Sequence, residues 1–127
     1  MLSEQQRNEL ETINAMRSVQ QRYFPELQNV VFDVVYDKLF DGVSGQAIFG
    51  GIPRVVLHYS EPRIISPNYR MGLIPVIAHE LAHYIDPANP ERIMHNRLPI
   101  PMMTLWEEFL KAGYAKCSSS TELPVAR

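Results

Sequence analysis

The sequence predicts a single α+β domain, and three observations along the chain lead to this prediction. Apolar residues recur at three- or four-residue spacing across residues 3–24, which is the pattern of one helix face. Short runs of β-branched and aromatic residues follow, separated by glycines, as in strands. Helical composition then returns in two later segments. A chain of 127 residues has the length of one domain, so we expect residues 1–127 to share one core.

The first predicted element is an amphipathic helix over residues 3–24. Ser3 and Gln6 have the spacing of a capping box, in which each side chain accepts the backbone N–H of the other residue. Pro25 cannot continue a helix and ends it. We interpret the apolar stripe of this helix as core packing. The stripe consists of Leu10, Ile13, Met16, Val19 and Tyr23.

Three short strands are predicted next, over residues 30–36, 46–49 and 54–59. The first run is rich in valine and contains two aromatic residues. Glycines mark the stretch between the first and last of these runs. Because the connections are short, we predict a small three-stranded antiparallel sheet in which consecutive strands are neighbours. The glycines are Gly42, Gly45, Gly50 and Gly51.

A second helix is predicted over residues 71–85. Pro75 is placed in its first turn, where the missing N–H has no helical partner in any case. The helix is expected to stop at Asp86, because the residue before a proline, here Pro87, is disfavoured in the α region. A proline-rich connection is predicted over residues 87–101.

A last helix is predicted to begin at Thr104 and to end at Gly113. Glu107 lies three residues after Thr104, which is the spacing of a second capping box. The segment 117–127 is polar, and we expect it to be a flexible tail.

The composition excludes several functional classes. A formal net charge of -2 and a pI near 6.1 argue against a surface that is basic throughout, as in proteins that coat nucleic acid or anionic lipid. The N-terminal segment is polar and acidic, so we expect no signal peptide. No apolar run reaches the ~20 residues that cross a bilayer. With a single cysteine, Cys117, no internal disulfide can form. We therefore expect a soluble protein, not bound to a membrane, in the cytoplasm.

The chemistry is predicted from the motif His79-Glu80-Leu81-Ala82-His83, an HExxH sequence on the second helix. Residues four apart lie on the same helix face, so His79 and His83 can bind one zinc ion. Glu80 would act as the general base. It would take a proton from a metal-bound water, whose pKa zinc lowers to about 7, and deliver the proton to the leaving amine.

A chance match on an exposed helix face is the alternative explanation of this short motif. The residues around it are strongly apolar, which predicts a buried helix. Unsatisfied polar groups in such a place cost roughly 1–3 kcal/mol each. A bound metal would satisfy them, so we favour the metal site. The apolar neighbours are Ile74, Val76, Ile77, Ala78, Leu81 and Ala82.

A catalytic zinc site normally takes three protein ligands and one water, and the residues alone leave the third ligand open. Asp86 is explained by the helix stop, Glu107 by the capping box, and Glu108 by its helical spacing to Lys111. His95 lies twelve residues beyond His83 (95 − 83 = 12) and has no other evident role. The remaining nearby histidine, His58, is predicted to lie on the surface or at a sheet edge.

Taken together, these features resemble the SprT-like zinc metallopeptidases, the group that includes the Spartan proteases. The resemblance implies a zincin-like minimal metallopeptidase fold and a histidine as third zinc ligand, which favours His95. Several members carry an extra zinc module built from cysteines, and with a single cysteine in this sequence we expect no such module. The matching features are Phe32-Asp33, Gly45-Gln46-Ala47, residues 55–58, HELAH, His95, Leu105-Trp106, Gly113 and Cys117.

This sequence departs from the SprT-like pattern after the motif. In the family the third histidine is close to the aromatic helix and often follows a glycine, whereas here Met94 precedes His95 and nine residues separate it from Leu105. The runner-up is a compact glutamate-type zincin, similar to the phage-repressor-cleaving metallopeptidases, with Glu107 or Glu108 as third ligand.

Two functions of different classes follow. The first is a zinc endopeptidase whose protein or peptide substrate pairs along the strand over residues 54–59. By analogy with the family alone, its substrates would be DNA-associated proteins, for which Arg63, Arg70, Arg92 and Arg97 could supply a local basic surface. The second is a non-catalytic zinc-binding module for partner interaction, with a closed site of four ligands.

Overall fold

The computed structural model describes residues 2–36, 43–59, 67–112 and 115–117. Within these ranges the chain forms four helices and four strands, which confirms the α+β class. In chain order they are α1 (Glu4–Tyr23), β1 (Val31–Tyr36), β2 (Val43–Ile48), β3 (Arg54–Tyr59), α2 (Pro67–Ala82), α3 (Pro90–Arg97), α4 (Ile100–Ala112) and β4 (Ala115–Cys117). Among the described helices, none combines the length and the apolarity that crossing a bilayer requires.

Helix α1 begins as predicted. The Ser3 hydroxyl accepts the Gln6 backbone N–H at 3.1 Å, and the Gln6 side chain accepts the Ser3 N–H at 2.9 Å. Its stripe packs against the core at Met16 and Val19, whereas Leu10 is half exposed. Arg17 joins the helix to the sheet, because its guanidinium donates to the Val30 carbonyl at 2.8 Å.

The antiparallel three-stranded sheet is a wrong prediction. The described strands form a mixed sheet in the order β1-β3-β2-β4, in which β3 runs parallel to β1 and antiparallel to β2. The physical reason lies in β3, where Val55, Val56 and Leu57 are all buried. A strand that is apolar on both faces belongs in the middle of a sheet, so β3 inserts between β1 and β2 rather than lying at an edge.

Strand β4 was not predicted either. Its three residues pair in parallel with Val43–Gly45 of β2, so the segment expected to be a flexible tail begins with an ordered strand residue, Cys117. The remainder of that predicted tail, residues 118–127, lies outside the described residues.

The boundaries of α2 also correct the prediction. The helix begins at Pro67, so Pro75 lies in its interior and not in the first turn, and it ends at Ala82. An interior proline costs about 3 kcal/mol of helix stability. Packing offsets this cost, because α2 contacts α1, α3, α4 and the strands β2, β3 and β4.

The predicted proline-rich connection contains the helix α3. The Asn89 side chain accepts the Arg92 N–H at 3.2 Å and caps the helix, and Pro90 occupies its first turn. Helix α4 then begins at Ile100, four residues before the predicted start. Thr104 is therefore an interior residue whose hydroxyl donates to the Ile100 carbonyl, and the capping box with Glu107 is a wrong prediction.

The core lies between the helices and one face of the sheet. Helix α2 is its centre, because almost every residue from position 75 to position 83 is buried. Three buried residues at its C-terminal end are polar, and they are the residues of the HExxH motif: His79 and Glu80 in its last turn, and His83 directly after Ala82.

Candidate functional site

The C-terminal end of α2 and the residue that follows it bring the motif residues together inside the protein. The exposed fractions are 7% for His79, 0% for Glu80 and 9% for His83. The two imidazole rings lie one turn apart, with centroids separated by 4.9 Å and planes at 88°. The two rings therefore lie side by side as a candidate ligand pair, while the Glu80 side chain extends towards Gly45 of β2.

His79 is held by two later helices. The indole of Trp106 in α4 stacks on its ring at 4.7 Å and 24°, and the sulfur of Met94 in α3 lies 3.3 Å from its Nδ1 atom. Trp106 is itself anchored, because its Nε1–H donates to the Glu91 carboxylate at 3.0 Å. This packing leaves the His79 ring little freedom to change orientation.

Both histidines are uncharged at neutral pH. Burial, and secondarily the neighbouring His83, lowers the pKa of His79 from 6.5 to about 4. Burial also lowers the pKa of His83, opposed by the hydrogen bond that its ring donates to the Pro87 carbonyl. Neutral imidazoles have the free lone pair that a metal ion needs. The bond to Pro87 also fixes which ring nitrogen of His83 keeps its proton.

Glu80 lies directly against the sheet at Gly45. A Cβ atom placed on Gly45 would come within 2.6 Å of the Glu80 Cγ and 2.7 Å of its Oε2. The missing side chain of Gly45 therefore makes the space that the catalytic candidate occupies. The sequence marked Gly45 only as a strand breaker and a family feature, so this role was missed. The signal is a glycine inside a strand, which indicates a close approach.

Tyr84, the residue after the motif, was also missed. Its hydroxyl lies 2.5 Å from the Ile48 carbonyl oxygen and 2.7 Å from that of Arg54, and it accepts the Arg54 N–H at 3.0 Å. The Phe49 ring packs on it at 4.7 Å. Burial raises the pKa of Tyr84, so the hydroxyl keeps its proton and remains a donor. Tyr84 thus ties the end of α2 to the turn between β2 and β3.

The third-ligand candidates do not join the histidine pair in this structure. His95 is exposed on α3, where the adjacent Met94 is buried against His79 instead, and Glu107 and Glu108 are exposed on α4. In the described ranges, no three His, Cys, Asp or Glu residues are placed to hold one ion. His79 and His83 could thus supply two of the three protein ligands that a catalytic zinc site takes. The identity of the third stays a prediction.

Asp86 and His58 have other partners. The Asp86 carboxylate pairs with Arg92 at 2.8 Å and accepts two backbone N–H groups, so it forms the turn into α3. His58 was predicted to lie on the surface or at a sheet edge; the edge position is wrong, because β3 has a neighbour on both sides, and the residue is half-buried, with its Nε2 3.4 Å from the Gln46 side-chain oxygen.

The predicted basic surface is partly neutralised. Arg92 pairs with Asp86, and Arg97 binds both carboxylate oxygens of Glu26, at 2.9 and 2.7 Å. Ion-paired guanidinium groups attract phosphate less than unpaired ones. Arg63 and the side chain of Arg70 lie outside the described residues.

Comparison of the chain with protein-family models, with curated proteins and with solved structures gives no match. The resemblance to the SprT-like peptidases therefore depends on the quoted sequence features. Together with the geometry of His79, Glu80 and His83, it enters the proposal below.

Proposed function

We propose that this chain is a zinc-dependent endopeptidase of the HExxH type, with His79 and His83 as metal ligands and Glu80 as general base. One observation carries the proposal. Two uncharged, buried imidazoles, one in the last turn of α2 and one directly after the helix, lie beside a fully buried carboxylate. Burying three ionisable groups in a 127-residue domain costs folding free energy, and ionisable groups perturbed by burial cluster at functional sites.

The chemistry divides between the ion and the protein. A bound zinc ion would supply Lewis acidity, which acidifies water and polarises the peptide carbonyl. Glu80 would accept the proton from the attacking water and deliver it to the leaving nitrogen. Burial of Glu80 strengthens these electrostatic interactions, and the absence of a side chain on Gly45 leaves the room that the carboxylate occupies against β2.

His95 remains the proposed third ligand, with Glu107 and Glu108 as the alternatives. Adjacent helix residues point about 100° apart, and Met94 now faces His79. Binding through His95 therefore requires α3 to turn about its axis. Measuring zinc per chain for His95→Ala, Glu107→Gln and Glu108→Gln separates the candidates, because only loss of a true ligand lowers metal affinity sharply.

The substrate is proposed to pair with β2 rather than with β3. The predicted substrate strand, Arg54–Tyr59, has a neighbour on both sides and offers no free edge. The outer edge of β2 lies next to the site, because Gly45 touches Glu80. Strand β4 pairs with this edge at Val43–Gly45. In the described part of the chain, no strand pairs with the rest of the edge, residues 46–48. An extended peptide could add to it main chain to main chain.

Action on DNA-associated proteins is the narrower proposal, and it depends on the SprT-like resemblance alone. The pairing of Arg92 and Arg97 with acidic side chains gives it no support. The narrower proposal predicts that single-stranded or double-stranded DNA accelerates cleavage of a DNA-binding protein and leaves the cleavage rate of a neutral peptide unchanged.

The metal dependence of hydrolysis tests the proposed function. Purified protein is stripped with a chelator, reloaded with zinc, and incubated with an unfolded protein substrate. We expect hydrolysis to disappear with the metal and to return with it. A non-catalytic zinc module would instead bind one zinc per chain and cleave nothing, so zinc binding without hydrolysis would favour the second function.

A further inference from the structure

The outer edge of β2 is partly covered by the protein's own C-terminal strand. Strand β4 pairs in parallel with the first half of β2: Ala115 lies opposite Val43, Lys116 opposite Ser44, and Cys117 opposite Gly45. Helix α2 contacts β4 as well. The last residue of β4 is thus paired with the residue of the sheet that touches Glu80.

We propose that β4 is an autoinhibitory strand, which a peptide substrate must displace to reach the site. This inference rests on the proposed function. One edge of a strand can form a hydrogen-bonded ladder with one partner only. A substrate cannot pair with β2 at Gly45, where the sheet meets the general base, while Cys117 occupies that position.

The shortness of β4 makes displacement feasible. It has three residues, whereas β1, β2 and β3 have six each. A ladder of this length contains only a few main-chain hydrogen bonds, and each contributes modestly because water replaces it when it opens. We expect release of β4 to raise kcat/KM by about 5- to 30-fold, the factor that one or two such bonds represent.

A reversible crosslink tests the inference in the full chain. Val43→Cys and Ala115→Cys introduce a pair at facing positions, and Cys117→Ser removes the native thiol. Neighbouring strands lie ~4.7–4.9 Å apart, which is within the Cα separation that a disulfide needs. The oxidised protein should show kcat/KM at least 10-fold below the reduced protein, and a phosphine reductant should restore it.

A peptide-binding measurement makes the test independent of turnover. In a Glu80→Gln background, a fluorescent peptide should bind the reduced protein more tightly than the oxidised protein. If the Glu80→Gln protein binds the peptide in this way but the reduced protein that retains Glu80 never hydrolyses it, the proposed function is overturned and the autoinhibitory strand is supported. Equal peptide binding by both forms, or failure of the two cysteines to crosslink, overturns the autoinhibitory strand.

Lys116→Pro provides the opposite perturbation. Proline removes a backbone N–H and weakens strand pairing, so kcat/KM should rise. Lys116→Ala changes the same side chain and keeps the N–H, and it should behave as the wild type. The Val43→Cys, Cys117→Ser protein, which cannot crosslink internally, should not respond to oxidation. Equal kcat/KM for the proline and alanine variants would overturn the proposal.

Discussion

A methyl group at Gly45 would collide with Glu80, and Gly45→Ala should therefore impair both stability and activity. The added Cβ would lie 2.6 Å from the Glu80 Cγ, whereas carbon atoms in contact are ~3.5–4.0 Å apart. Relief requires a displacement of roughly 1 Å. Glu80 is fully buried and cannot move into solvent. Overpacking of this kind costs about 1–3 kcal/mol, and a 1 Å shift of a catalytic group costs about 100-fold in rate.

Urea unfolding and steady-state peptide hydrolysis measure the two effects on zinc-loaded protein. Gly51→Ala is the control, because no atom lies within 4 Å of its added Cβ although its φ of 155° is positive. We expect that variant to lose stability through backbone strain and to keep kcat/KM. If Gly45→Ala hydrolyses peptide at the wild-type rate with unchanged stability, the close approach of Glu80 to β2 is not needed, and the reasoning is refuted.

Three other predictions concern the groups around the site. Tyr84→Phe removes the hydroxyl that bonds the turn between β2 and β3, and it should lower the free energy of unfolding by about 1–3 kcal/mol in urea titrations. Glu91→Ala removes the acceptor of the Trp106 indole that stacks on His79, so the zinc Kd should rise about 10-fold in chelator competition. Glu91→Gln retains an acceptor oxygen, so its zinc Kd should rise less. The folded pKa of His79 lies below its unfolded value, so the stability of the metal-free protein should be full above about pH 6.5 and fall as the pH drops towards 4, by up to about 3 kcal/mol. His79→Gln should flatten this pH dependence in unfolding curves.

Local signals in the sequence predict the elements that depend on neighbours along the chain. The capping box of Ser3 and Gln6 correctly gives the start of α1. The HExxH spacing predicts that the two imidazoles lie close together, and they do, although α2 ends at Ala82, one residue before His83. The start of α3 was also encoded locally, in Asn89 followed by Pro90, but the surrounding prolines led to the prediction of a loop.

Strand order and the third ligand depend on contacts between distant residues. The hydrophobic pattern identified β3 as a strand but gave its neighbours wrongly, because pairing is decided by burial on both faces. The position of His95 depends on how α3 is turned about its axis. Met94 and His95 are adjacent in sequence, and it is Met94 that points inward, where its sulfur packs against His79.

The central claim is that Glu80 performs the proton transfer in peptide hydrolysis. Its most direct test compares the wild type and Glu80→Gln, each loaded with one zinc per chain, for cleavage of the same unfolded protein. Glutamine preserves the size of the buried side chain and removes its basicity. We expect equal zinc content and a loss of kcat of at least 100-fold. Equal cleavage rates at equal zinc content would contradict the assignment of Glu80 as the general base.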